Sequence, residues 1–343
     1  MLNKKSIEYL RSLVECHGGP GYEQGVQQLF RERVEACCQQ LETDRLGSVV
    51  AVRNPEGSPR ILLDAHADEI AFVVKHIDEQ GFLHLAASGG WDAEVVVGQR
   101  VLVHGIEGPR SGVIGKKAIH LMEESELSKK SQLEKLWVDL GARDGEQARQ
   151  WVEIGDSVTM HAPFTRLLNN CATAKSFDNR AGLFVVSETL RGLKKFKAAV
   201  HGVSAVQEEI GLRGAVATAY AVEPDIAVAI DVTHANDQPD GDPRRVGDIK
   251  LGKGPVIVRG PNVCPQVFER LVKVARKGKI PHQVAASGRG TGTDANVIQL
   301  SRSGVSTGLI GLPLRYMHNP CEVLSLEDLE SAVRLLIAFV ESY

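Results

Sequence analysis

Two adjacent carboxylates, Glu208 and Glu209, sit in the run Gln207-Glu208-Glu209-Ile210-Gly211-Leu212-Arg213-Gly214-Ala215. Residues 198–206 before them are apolar and rich in β-branched side chains, which predicts a buried strand, and residues 211–220 after them have helical composition. The pair therefore falls where a strand hands over to a helix, the usual place for ligand sites in α/β sheets. There one glutamate can bind a metal ion while its neighbour faces a substrate, the division that metal-assisted hydrolysis needs. A bare Glu-Glu pair is most often a solvated acidic turn, so the companions decide. His66 follows a strand candidate, residues 60–64, and precedes Asp68 and Glu69. That spacing allows one ring nitrogen to meet a metal while a carboxylate takes the other. Asp178 opens a helix predicted to run through residue 193, where a plain N-cap is the competing reading. Asp231 ends the apolar run 225–231, and His318 follows the run 306–310. In a parallel-type sheet such strand ends share one edge and converge. Two histidines with three or four carboxylates suit a pair of divalent ions, one aspartate bridging, whereas one ion would leave too many buried acids.

The elements that must position these groups read as two lobes. At 343 residues the chain exceeds what one hydrophobic core usually serves. Two amphipathic helices open it, the first capped by Ser6 and carrying Leu10, Leu13 and Val14 on one face, the second carrying Val26, Leu29, Phe30 and Val34. Strands at 48–52 and 60–64 follow. From residue 70 to about 165 the texture changes to short alternating segments (70–77, 82–86, 99–103, 158–162) separated by turns, with one short helix at 145–152 and a polar loop at 123–135. We expect an α/β domain with a mixed sheet flanked by helices, built from residues 1–69 and 166–343, and a small β-rich, barrel-like domain inserted at 70–165. The inserted histidines His76, His84, His104, His120 and His161 share no ligand spacing and are expected to be structural. In the second part, strands at 256–259, 282–286 and 306–310 and helices at 266–277 and 325–342 complete the pattern. The glycines in Ser287-Gly-Arg-Gly-Thr-Gly-Thr-Asp294 invite a dinucleotide-fold reading, but the acidic residue expected some twenty positions on is missing. The turn is expected to hold a carboxylate or shape a pocket instead.

Composition narrows the classes. A charge of −3 with 24% charged residues gives no electrostatic reason to bind nucleic acid or an anionic membrane. No run of about 18 apolar residues appears, so a cytoplasmic location is expected. Six cysteines without Cys-x-x-Cys spacing read as reduced structural thiols.

His66-Ala-Asp68-Glu69, Ser176-Phe-Asp178-Asn-Arg-Ala-Gly182, the Gln207–Ala215 block, Asp231-Val-Thr-His234, Gly292-Thr-Asp294-Ala and Arg315-Tyr-Met-His318 occur in this order along the whole chain. Together they resemble the successive motifs of the deblocking and glutamyl aminopeptidases, metallopeptidase family forty-two, often called TET aminopeptidases. The resemblance implies a metalloaminopeptidase acting on short peptides. It implies two divalent ions per subunit, zinc or cobalt foremost and manganese as an alternative. One ion would be held by His66, Asp178 and Asp231, the other by Asp178, Glu209 and His318, with Asp178 bridging. Asp68 would orient His66, and Glu208 would be the general base. The inserted domain resembles the family's dimerisation domain, which implies a homo-oligomer, a dodecamer built from dimers. Ala71 departs from the pattern, where glycine is expected. Two other readings stand beside this one: a metal-independent glycosidase using a carboxylate pair such as Glu208 and Asp231, and a non-catalytic peptide-binding scaffold.

Overall fold

The computed structural model describes residues 2–343. Strands β1 (Gln40–Thr43), β2 (Val49–Arg53) and β3 (Arg60–His66) precede a run of six, β4 (Ala71–Ile77), β5 (Leu83–Ser88), β6 (Arg100–Gly105), β7 (Gly108–Gly115), β8 (Trp137–Asp139) and β9 (Ser157–Met160). After the short β10 (Thr165–Arg166) and β11 (Cys171–Ala174) come β12 (Ala199–Ala205), β13 (Ile226–His234), β14 (Val256–Arg259), β15 (Gln283–Ala286), β16 (Ser306–Leu314) and β17 (Glu322–Ser325). Eight of these form one mixed sheet in the order β1-β2-β12-β3-β13-β16-β14-β15. Its four central strands, β12, β3, β13 and β16, are mutually parallel, so their carboxyl ends share an edge. That edge carries His66, Glu208, Glu209, Asp231 and, after β16, His318.

Both faces of the sheet are covered, which is why its central strands are continuous apolar runs. Along β3 the side chains alternate: Ile61, Leu63 and Ala65 join the larger core, while Leu62 joins the smaller one. Helices Lys4–Glu15, Gln24–Val34, Phe177–Gly192, Pro265–Lys277 and Leu326–Val340 close the first face, and Arg213–Val222 with Ala295–Ile298 the second. The first helix is capped by Asn3, whose side chain accepts from the Ser6 N–H at 2.9 Å. Ser6 therefore lies inside the helix, and its hydroxyl donates to Glu188. Ser325 does cap the last helix, as expected, accepting from the Glu327 N–H.

The alternating segments close into a barrel, β4-β5-β8-β7-β6-β9, with a hydrophobic core of its own around Phe72, Val101, Val138 and Val158. β7 and β8 were not foreseen, because Gly108–Gly115 holds three glycines and a proline, and Trp137–Asp139 is three residues long. The polar stretch before β8 holds two short helical turns, Glu124–Leu127 and Leu133–Lys135. The barrel rests on the α/β part through stacked rings of His17 and His104, 3.6 Å apart, and a 2.6 Å hydrogen bond from the Tyr22 hydroxyl to the Gly155 carbonyl. Burial holds His17 at about 3 and His104 at about 4, so both rings are neutral at physiological pH, as a close stack requires. No helix among the described residues is long and apolar enough to cross a membrane, and all six cysteines are free.

Candidate metal centre

The carboxyl edge of the parallel strands delivers its groups at one level. Asp64 pairs with Ala229 across β3 and β13, so two residues further on His66 and Asp231 point to the same side at the same height. Glu208 and Glu209 follow β12 in a turn that Asp68 holds open: its two carboxylate oxygens accept from the Glu208 and Glu209 N–H groups, each at 3.0 Å. Gly211 in that turn has φ +126°, a conformation glycine alone adopts without strain. Leu212 also has positive φ, so the helix begins at Arg213, two residues later than expected.

Asp178 is not an N-cap. It sits in a non-helical kink of Phe177–Gly192, with Asn179 after it bonded to the Ile230 carbonyl at 2.8 Å. Glu322 fixes the local backbone from outside, one oxygen accepting from the Asp178 N–H at 3.0 Å and the other from the His318 N–H at 3.1 Å. It is positioned by β17, which pairs with β11 so that Glu322 lies opposite Ala174.

All the predicted residues converge. His66 Nε2 lies 3.3 Å from Asp178 Oδ1, 3.8 Å from Asp231 Oδ1 and 3.9 Å from Glu208 Oε2. His318 Nε2 lies 3.3 Å from Asp178 Oδ2 and 3.4 Å from Glu209 Oε1. Asp178 thus presents one oxygen to each imidazole. On its other side, His66 Nδ1 lies 3.4 Å from Asp68 Oδ1 and 3.2 Å from the Asp68 carbonyl oxygen. Asp68 therefore touches the histidine and both glutamates.

These residues fit metal ions. Donors sharing one ion at tetrahedral bond lengths of 2.0–2.2 Å are spaced about 3.3–3.6 Å, close to the separations around Asp178. His66/Asp178/Asp231 and Asp178/Glu209/His318 are each sets whose donor atoms lie within 4.8 Å of one another, as is His66/Glu208/Glu209. The charge balance points the same way. Burial, together with Asp231, Asp294 and Glu209, pushes the Glu208 carboxyl up to about 10. Burial likewise raises Asp231 and Glu209. His66 is raised against the effect of its own burial by Glu208, Asp178, Asp68 and Asp231, and hydrogen bonding to Asp178 and Glu209 lifts His318 to about 11. Too much negative charge is confined here for two imidazoles, and divalent cations are what relieve such a cluster.

Sequence reasoning missed three supporting groups. Glu322 gave no signal, being one acid among loop residues. Lys175 and Arg180 make a buried pair with Glu69: Lys175 Nζ is 2.6 Å from Glu69 Oε2 and Arg180 Nη2 is 3.6 Å from Oε1. Asp64 and Asp294 are fully buried below the site, their carboxyl groups facing each other, and burial holds Asp64 at about 7. The Ser287–Asp294 turn shapes a pocket, one of its two expected roles, with Thr291, Gly292 and Thr293 on the wall of a cleft of about 380 Å³ that opens onto the cluster.

A family model described as M42 glutamyl aminopeptidase matches residues 47–335. A relative named lysyl aminopeptidase from Pyrococcus furiosus is 36% identical over 338 residues, covering 97% of this chain and 96% of its own. Among solved structures, a TET aminopeptidase from a marine sediment Thaumarchaeota archaeon superposes with TM-score 0.94 at 35% identity, over 98% of this chain and 96% of that one. PhTET1-12s, described as a dodecamer, matches with TM-score 0.88 at 28% identity over 100% of both chains. A Thermotoga maritima protein described as an endoglucanase matches with TM-score 0.79 at 28% identity over 97% of both.

Proposed function

This chain belongs to the M42 glutamyl aminopeptidase family and is a peptide hydrolase, and from that premise we propose that it is a dinuclear metalloaminopeptidase that removes N-terminal residues from short peptides. The observation that carries the reading is the pair of donor sets sharing Asp178, with Glu208 beside them. His66 and Asp231 complete one set, Glu209 and His318 the other. When bound, two divalent cations, zinc or cobalt and alternatively manganese, would polarise the scissile carbonyl and lower the pKa of a water from about 16 toward ~7. Glu208 takes up a proton at its carboxylate and returns it to the departing amine. Asp68 positions both functions at once, since it faces the His66 ring and holds the Glu208 and Glu209 backbone. The carboxylate-rich floor accepts hydrogen bonds from a free α-amine, which directs cleavage to the N-terminal residue.

Metal content is the first test. Elemental analysis should find up to two divalent ions per chain, and exhaustive chelation should abolish peptide hydrolysis until Zn²⁺, Co²⁺ or Mn²⁺ is returned. The endoglucanase description of the Thermotoga neighbour favours one other reading, in which Glu208 and Asp231 act as a glycosidase pair without metal. Glucan hydrolysis that survives chelation would establish that reading and defeat ours.

The barrel at residues 70–165 is assigned as the dimerisation domain of a homo-oligomer, supported by its separate core and by the dodecamer described for PhTET1. Purified protein should sediment far above 37.2 kDa. Deleting residues 71–163 should reduce it to smaller species or insoluble material, and an intact chain that sediments as a monomer at micromolar concentration would end the proposal.

A further inference from the structure

We infer that the cleft beside the metal centre selects peptides whose N-terminal side chain is uncharged and apolar, such as leucine or methionine, over glutamyl and lysyl peptides. This deepens the aminopeptidase reading and rests on it. The cluster borders two spaces. The one on the barrel side, between Trp91, Met160 and Lys175, holds about 10 Å³, less than a side chain needs. The other is the cleft of about 380 Å³. A residue bound at the cluster must therefore place its side chain in the cleft.

The wall of that cleft is apolar. Val258 on β14 pairs with Ala285 on β15, and Leu309 lies on the neighbouring β16, with Val258 and Leu309 buried. Met317 closes the side next to His318. Of the hydroxyls present, those of Thr291 and Thr293 are bonded to each other at 2.8 Å and that of Ser287 donates to the Arg289 carbonyl. Apart from the cluster itself, His234, exposed, is the one titratable side chain among the lining residues. No arginine or lysine is among the lining residues; Arg315 is bound to Asp237 at 2.7 Å, and Arg259 lies over the Phe268 ring. A glutamyl side chain would find no lysine or arginine on this wall. A lysyl side chain would find only carboxylates assigned to metal ions or, at Glu208, to proton transfer. Either would lose its water without a replacement partner.

The test compares kcat/KM for leucyl, methionyl, glutamyl and lysyl p-nitroanilides on the metal-loaded full chain. Leucyl and methionyl substrates should exceed the charged ones by about 10-fold or more. Ala285→Arg places a cation on the edge strand facing the cleft and should lower the leucyl-to-glutamyl ratio at least tenfold. Ser287→Arg does the same from the adjoining turn should the first variant be insoluble. Equal or faster turnover of the glutamyl or lysyl substrate by the unmodified chain, or an unchanged ratio in soluble arginine variants, would overturn the specificity while leaving the aminopeptidase reading standing. Failure to cleave any of the four would overturn that reading itself.

Discussion

Glu208→Gln is expected to lower kcat about 10²- to 10⁴-fold, the usual worth of a general base, with metal content unchanged. The amide keeps the shape of the side chain and a hydrogen-bonding oxygen but cannot take up a proton. KM should move little, because the lost interaction belongs to the transition state. Glu209→Gln is a different lesion. Its Oε1 lies 3.4 Å from His318 Nε2 in the set that includes Asp178, so replacing an anionic donor with a neutral amide should empty that position and remove activity with it. The measurement is elemental analysis beside steady-state kinetics for both variants. A Glu208→Gln protein with unchanged kcat, or one that sheds metal as readily as the Glu209 variant, would reverse the two roles.

What made this site legible was the position of its groups at strand ends. An apolar run followed at once by His66, Glu208 or Asp231 has few explanations in a covered parallel sheet, because a charge at the end of a buried strand must be given a partner. The same logic failed for groups that act through the backbone. Glu322 contacts the site only by accepting two N–H groups, and nothing in its local sequence separates it from a surface acid. Asp68 was expected to orient His66, yet its carboxylate also accepts the two glutamate N–H groups, a tertiary contact across 140 residues that no local pattern encodes. The barrel was legible as alternation, but not as a closed ring, since β8 pairs with both β5 and β7 through three residues. The cap of the first helix was displaced from Ser6 to Asn3 because both residue types serve as caps, and the Ser6 hydroxyl had a better partner in Glu188.

Lys175→Met should destabilise the folded chain by about 3 kcal/mol or more. Lys175 and Glu69 are buried, and the ammonium lies 2.6 Å from both carboxylate oxygens. Burial lowers the lysine from its ordinary value even though Glu69 opposes the shift, so the pair survives through its mutual contact. Removing the ammonium leaves Glu69 with Arg180 alone, at 3.6 Å, while Arg180 remains committed to the Leu13 and Gly18 carbonyls. An under-compensated carboxylate in the interior costs several kcal/mol, whereas deleting both charges of such a pair is far milder. The double variant Glu69→Gln/Lys175→Met should recover part of the loss, Arg180 then resting on the Leu13, Cys16 and Gly18 carbonyls alone, whereas a simple packing defect at Lys175 would allow no recovery. The damage should also reach the site: Lys175 directly precedes the Ser176–Asp178 kink, and Glu69 follows Asp68, so both chains that carry Asp178 and Asp68 are anchored by this one contact. Thermal unfolding of the two variants beside the unmodified chain, with metal content measured on each, is the check. A double variant no more stable than Lys175→Met would show that the ion pair is not what holds these two segments together.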